Sequence, residues 1–375
     1  MNLKKIKQKY YLKAKKTEKK ILNNIFKTKY DKNVLICYII APFANSNLKI
    51  AHTNIEMARL IAQVFSRHGY NVDVVNFYEE KEIKLQKYNV VFGWGANFDN
   101  ASKEKGICTI AFLTGASTYF ANLAELERVK EAIKRTGKQF KLRRQAIGLI
   151  NLETAMNTDA AICHGNAWTL STWSEIYENI YPIDGFGFNT GGFIKRNVRQ
   201  TNKNFLFISG SGNIHKGLDL CLEAFRDLPN HCLYIATKLD KDFEEHYRED
   251  LKRENVNYLG FISVDTDEYR EIAKKCLFTI LISCAEGMAT SVLTSMDSGM
   301  IPIVTRQCGI DIDETGFLID DISINKIRDT IQRASSYDVE KLFIMSVKST
   351  ELVKKRYNAK VFEKRLDEIL TEIEK

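Results

Sequence analysis

The stretch Phe205–Phe225, FLFISGSGNIHKGLDLCLEAF, decides how this chain folds. An apolar run from Phe205 to Ser209 enters a turn of small residues, Gly210, Ser211 and Gly212. Lys216 and Gly217 follow, then a helix with apolar Leu218, Leu222 and Phe225. A strand that passes into a helix through small residues aims backbone N–H groups at one point, where an anion can rest. Lys216 puts a fixed positive charge at that mouth, which suits a phosphate. Downstream, the apolar run Phe278–Ser283 ends in Ala285-Glu286-Gly287 and another helix begins. Two such turns on one sheet predict a nucleotide site with a carboxylate beside it.

The same alternation spreads in both directions. Before it, strands are expected at Val34–Ile40, Asn71–Phe77, Val90–Gly93, Thr109–Leu113, Ala160–Cys163 and Ile180–Ile183, with helices at Thr53–His68 and Ala121–Lys134. After it come strands at Cys232–Ala236, Val256–Phe261, Ile301–Val304 and Phe317–Ile319. Helices are expected at Asp242–Arg253, Asp267–Lys275, Ser323–Ser335 and Tyr357–Glu374. Runs that are apolar on both faces, separated by helices, predict parallel sheets covered by helices. Gly185-Phe186-Gly187 and Gly191-Gly192 break the periodicity and read as a linker or hinge. At 375 residues the chain exceeds one ordinary core. The expected organisation is a basic leader over 1–33, a first Rossmann-like domain with linker over 34–200, a second parallel-sheet domain over 201–355 and a closing helix over 356–375.

Charge is unevenly spread. Twelve lysines against Glu18 and Asp31 give residues 1–32 a charge of +10, which leaves −2 for the rest of a chain whose total is +8. A nearly neutral body argues against a nucleic-acid groove. The lysine-rich start lacks the apolar core and cleavage site of a secretory signal. With Tyr10, Tyr11, Ile21, Leu22, Ile25 and Phe26 as an imperfect apolar stripe, the leader reads either as a dock for an anionic membrane face or as a solvated tail. No run is long enough to span a membrane. The eight cysteines form no Cys-x-x-Cys pair and read as reduced core residues of a cytoplasmic protein.

Two commoner motifs fail at the Gly210 turn. A dinucleotide fingerprint needs glycine where His215 stands, and a Walker loop needs Gly-Lys-Ser/Thr where Lys216 precedes Gly217. Set against a phosphate site is an ordinary tight turn with a surface lysine. Glu286 reads either as a sugar-site carboxylate or as a partner of a helix N-terminus. Asp311-Ile312-Asp313 looks like a metal-binding Asp-x-Asp but reads better as a solvated loop, and no metal is expected. On the acceptor side, His52 and Asn54 flank a helix start that Thr53 or Asn54 could simply cap. Arg143 and Arg144 sit in a basic loop, either solvated or clamping an acidic acceptor such as a lipid diphosphate.

Together these residues carry a resemblance. From about Phe205 to Ser335 the chain resembles the retaining GT-B glycosyltransferases of family 4, and looks closest to a branch that builds bacterial surface polysaccharide. The matching pieces are Gly210 to Gly217 with His215-Lys216-Gly217-Leu218-Asp219, then Tyr258-Leu259-Gly260-Phe261. The third is Ala285-Glu286-Gly287-Met288 through Ser298-Gly299-Met300-Ile301-Pro302-Ile303-Val304. The resemblance implies two Rossmann-like doubly wound domains facing a cleft, and transfer of a sugar with retention from a nucleotide-diphosphate sugar to a saccharide or lipid-linked acceptor. It places Lys216 on the donor diphosphate beside Gly210, Ser211 and Gly212, and Phe261 and Ile262 at the base. Glu286 would act against the donor sugar, and Gly287, Met288, Ala289, Thr290 and Ser291 would offer backbone N–H groups. No cofactor is implied beyond the sugar donor. The family's arginine after the turn glycine is Ser211 here, and its second glutamate is Thr294. A histidine frequent near Thr114-Gly115-Ala116-Ser117 is missing, which leaves Ser117 as the acceptor-side residue there. Rival expectations are a nucleotide-sugar epimerase of the same fold, or a non-catalytic donor-binding or scaffold subunit.

Overall fold

A computed structural model describes residues 21–44, 52–146 and 151–375. Strands β1 (Ile21–Leu22), β2 (Lys32–Tyr38), β3 (Tyr70–Asn76), β4 (Val90–Gly93), β5 (Cys108–Leu113), β6 (Ala160–His164) and β7 (Ile180–Ile183) form a sheet ordered β1-β3-β2-β4-β5-β6-β7. β2 runs parallel to β3 and β4, and β4 to β5. The second sheet contains β8 (Asn204–Ile208), β9 (Cys232–Ala236), β10 (Val256–Gly260), β11 (Phe278–Leu281), β12 (Ile301–Thr305) and β13 (Phe317–Ile319). Its order is β10-β9-β8-β11-β12-β13, parallel throughout. By internal contacts, Met1–Phe112 with Ile150–Ala161 make one compact unit, and Leu113–Leu149 with Ile162–Lys375 the other.

The second sheet is what positions the site. From β8 the chain moves outward to β9 and β10, then returns to the other side of β8 as β11 and continues to β12 and β13. The strand order therefore reverses between β8 and β11, and the crevice beyond the carboxyl ends of such strands is where α/β sheets bind ligands. The junction is rigid: Phe205 stacks on Phe278 at 4.8 Å, in register across the two strands, and both rings are fully buried. The turns after β8 and β11 are the two that carry Lys216 and Glu286.

Two expectations change, and the expected linker gains detail. The helix expected over Asp242–Arg253 is two short helices, Lys241–His246 and Arg248–Leu251, broken at Tyr247. That residue leaves helical geometry to bury its ring on Phe243 and donate its hydroxyl to Glu223 at 2.7 Å. Secondly, Ile21 and Leu22 do not continue a helical stripe. They pair antiparallel with Val75 and Leu22's partner Val74 at the sheet edge, where β3 offers unpaired backbone groups. Asn24 N then donates to Asp73 at 2.7 Å. Residues 1–20 of the leader lie outside the described residues. Finally, the glycine-rich 185–192 segment is stitched to the helix Thr290–Asp297. Phe188 N donates to Thr294 Oγ1, and Thr190 to Asp297 Oδ2 through both its N–H and its hydroxyl, all at 2.7–2.8 Å.

Candidate functional site

The turn after β8 is tied to itself. Lys216 N donates to Gly212 O at 2.9 Å, Gly217 N to Ile214 O at 3.0 Å and Leu218 N to Asn213 O at 2.9 Å. Gly217 sits at φ +79, and a Cβ there would lie 2.3 Å from the carbonyl oxygen of Ile282. Only glycine lets this turn press against the strand end. The N–H groups of Gly210, Ser211 and Gly212 have no hydrogen-bonded partner among the described residues. Meanwhile Thr237 Oγ1 at 2.9 Å holds the Gly210 carbonyl. The result is a run of free donors at a strand end, the arrangement that receives an anion.

Lys216 is not a surface lysine. It is 8% exposed, and its ammonium donates to Oε1 of Glu286. The same carboxylate oxygen accepts from Ser283 Oγ at 2.5 Å, and His215 Nε2 lies 3.9 Å from it. His215 Nε2 is 2.8 Å from the Ala285 carbonyl, which fixes the proton on that nitrogen. Burial would push the Glu286 carboxyl up, but Lys216, His215 and Arg144 outweigh it and hold the group at about 2. Burial pushes His215 down to about 3, with Lys216 and Arg144 adding to the effect against the pull of Glu286. At neutral pH the site therefore contains an ionised Glu286 and an uncharged His215.

The segment after Glu286 is held from several sides. Glu286 N donates to Gln307 O and Ala289 N to Cys308 O, both at 2.9 Å. Thr169 Oγ1 donates to Gly287 O at 2.6 Å. Of the five residues Gly287 to Ser291, Ala289 and Thr290 already spend their N–H groups, Thr290 on Met288 O at 2.9 Å. Those of Gly287 and Met288 have no partner among the described residues. Thr294 is buried, and its hydroxyl donates to Thr290 O and accepts from Phe188 N, each at 2.8 Å. Beyond β10, Phe261 projects 72% exposed while Ile262 is buried.

The acceptor-side candidates fall into separate places. His52 caps the helix Thr53–Arg67, its Nδ1 accepting from Asn54 N at 3.2 Å; both residues belong to the first compact unit. Ser117 caps the helix Thr118–Thr136 and is buried. The Arg143 guanidinium pairs with Asp242 and lies 3.7 Å from Asp240. Arg144 reaches the turn after β8: its Cγ lies 2.7 Å from where a Cβ on Gly212 would stand. Asp311 is engaged by Asn166 and Arg356, each at 2.7 Å.

Sequence reasoning missed the support of the turn. Arg128 on the helix Thr118–Thr136 donates to Ile214 O at 3.1 Å and to Asp219 at 3.3 Å. Arg135, two turns on, meets the other oxygen of Asp219 at 2.5 Å and Glu223 at 3.1 Å. Asp219 is fully buried. The signal was present as buried-looking arginines spaced by seven on a helix, but only the fold reveals their partner. Glu125, one turn earlier, accepts the N–H groups of Arg143 and Arg144 at 2.7 Å each.

Comparison with known proteins bears on the fold and on the second sheet's family likeness. Residues 192–341 match the family model of the glycosyl transferases group 1. Sucrose-phosphate synthase from Thermosynechococcus elongatus superposes with a TM-score of 0.64 at 12% identity, over 92% of this chain and 99% of that one. HepE from Anabaena, solved with UDP and glucose, gives 0.60 at 11% identity, over 92% and 100%. WaaG, a glycosyltransferase involved in lipopolysaccharide biosynthesis, gives 0.55 at 12% identity, over 90% and 99%. No curated protein sequence matches the chain. The fold is GT-B, and the family match with it supports a glycosyltransferase.

Proposed function

We propose that this chain transfers a sugar, with retention of configuration, from a nucleotide-diphosphate sugar to a saccharide or lipid-linked acceptor in surface glycan biosynthesis. The observation that carries the reading is the meeting of Lys216 and Glu286 at the strand-order reversal, beside the free N–H groups of Gly210 to Gly212. The diphosphate would rest on those donors and on Lys216. Phe261 and Ile262 would border the base, and Gly287 and Met288 would donate to sugar or phosphate. In the transfer, the bond from the sugar's anomeric carbon to the diphosphate oxygen breaks and a bond to the acceptor hydroxyl oxygen forms. The hydroxyl proton leaves with the diphosphate. Held at about 2, Glu286 is an anion throughout and cannot be the acid. Its role would be to stabilise positive charge developing on the sugar ring.

Thr294 favours a second reading, a donor-binding subunit without catalysis, because its hydroxyl already donates to Thr290 O and accepts from Phe188 N, so it has no proton left to donate to a ribose. Release of nucleoside diphosphate from a panel of sugar donors, with and without glycan acceptors, separates the two. Turnover that rises with acceptor supports transfer; binding without release supports the subunit. Within the transfer reading, Glu286→Gln keeps the size and removes the charge. The expected result is a turnover number lowered by two or more orders of magnitude with nucleoside-diphosphate affinity changed only a fewfold. Turnover within a fewfold of the parent reduces Glu286 to a partner of Lys216.

A further inference from the structure

We propose that Arg144 is the second phosphate-binding cation of the donor site, supplied by the segment after the helix Thr118–Thr136 and laid across the Gly210–Gly212 turn. The inference rests on the reading of that turn as a diphosphate site.

The first ground is charge. A nucleotide sugar carries a negative charge on each phosphate, so its site needs more than one cation. The turn itself contributes no arginine or lysine between Gly210 and His215. Lys216 is already paired with the buried Glu286 carboxylate, and His215 is neutral at ordinary pH. Lys216 and Glu286 cancel, leaving the cluster without net charge until a further cation is added. Arg144 is that cation. Its charge reaches Glu286, Lys216 and His215, shifting the titration of all three.

The second ground is geometry. The Arg144 stem crosses Gly212, with Cγ 2.7 Å and Cδ 3.1 Å from the place a Cβ would take. Gly212 stands at φ +92, so the bare backbone both permits the turn and leaves room for the arginine. The crossing is fixed at its root, where the buried Glu125 accepts the N–H groups of Arg143 and Arg144.

The third ground is availability. The neighbouring Arg143 spends its guanidinium on Asp242 and Asp240. The Arg144 guanidinium has no hydrogen bond or ion pair among the described residues. An exposed guanidinium beside unpaired N–H groups is free to receive a phosphate in two-pronged fashion.

The test uses the full chain and its Arg144→Ala and Arg144→Lys variants, titrated by calorimetry with inorganic pyrophosphate, with UDP, GDP and ADP, and with the uridine nucleoside alone. Arg144 is exposed, so both variants should keep the parent's thermal midpoint. Arg144→Ala is expected to weaken pyrophosphate and the preferred nucleoside diphosphate by about tenfold or more, the loss of hydrogen bonds to a charged group. Affinity should also depend less steeply on salt, and Arg144→Lys should recover only part of the loss. Unchanged affinity in Arg144→Ala, where Lys216→Ala loses binding, overturns the proposal and leaves the diphosphate site standing. A parent chain that binds none of the diphosphates overturns both.

Discussion

At the scale of single residues, the Lys216–Glu286 pair sets the terms. The turn looked like one with a surface lysine because nothing local in Gly-Asn-Ile-His-Lys-Gly marks burial; the burial comes from the neighbouring strand end. Lys216→Ala should therefore do two things. It should weaken nucleoside-diphosphate binding by about 10- to 150-fold, the cost of losing a hydrogen bond to a charged group. It should also destabilise the protein by about 3–5 kcal/mol, because it strands a buried carboxylate. Adding Glu286→Gln should restore most of that stability, which urea unfolding of the three proteins would measure. The pH dependence has a definite sign. The Glu286 carboxyl is held at about 2 against an ordinary 4.5. The stability it contributes is thus complete above pH 4.5 and is lost as the pH falls toward 2. The gap between parent and Lys216→Ala should close over that window; a gap that stays constant on acidification would show that the pair is not what holds the turn.

At the scale of elements, legibility followed apolar pattern. Apart from β1, the strands of both sheets could be read within a residue or two, since most are short buried runs between polar segments. The helix Val339–Lys355 could not. Half of its buried face is Ser346, Ser349 and Thr350, whose hydroxyls donate to the carbonyls of Gly299, Met300 and Met296. A face built of hydroxyl groups leaves no apolar stripe to detect. The buried ionic junction on Asp219 was equally hidden, because Arg128 and Arg135 lie over 80 residues away in sequence. Asp219→Ala should cost about 3–5 kcal/mol by leaving two guanidinium groups without their shared carboxylate. It should also loosen the turn after β8, since Arg128 holds the Ile214 carbonyl. Equilibrium denaturation would register the first effect and a fall in pyrophosphate affinity the second. A cost under 1 kcal/mol would mean that Arg135 and Glu223 suffice alone.

For the molecule as a whole, the basic leader divides at its described edge. Residues 21 and 22 belong to the first sheet, and Asn71 accepts from Thr28 and Tyr30 at 2.9–3.0 Å. If the leader docks on an anionic membrane and is not a solvated tail, the dock would be confined to residues 1–20, which still hold nine of the lysines. A chain starting at Ile21 should unfold at the same temperature as the full chain and lose its pelleting on anionic vesicles. A chain starting at Val34 should in addition be less stable, having lost β1. Equal pelleting of the full chain and the chain from Ile21 would remove the dock.

Residues 185–196 have a consequence for how the protein meets a protease. Four glycines and two basic residues, Lys195 and Arg196, make this stretch read as an easy cut. Yet Gly185, Phe186, Thr190, Gly192 and Arg196 are buried. The Arg196 guanidinium clasps the carbonyls of Gly299 and Ser298 at 2.6 and 2.7 Å, and Ile194 N is bonded to Ser298 O at 3.1 Å. Trypsin must draw a segment out into an extended strand before it can cut, and here that means breaking all of these bonds first. Brief digestion should leave the bonds after Lys195 and Arg196 whole while exposed lysines elsewhere are nicked, so the stretch that looks most severable would be among the last to part.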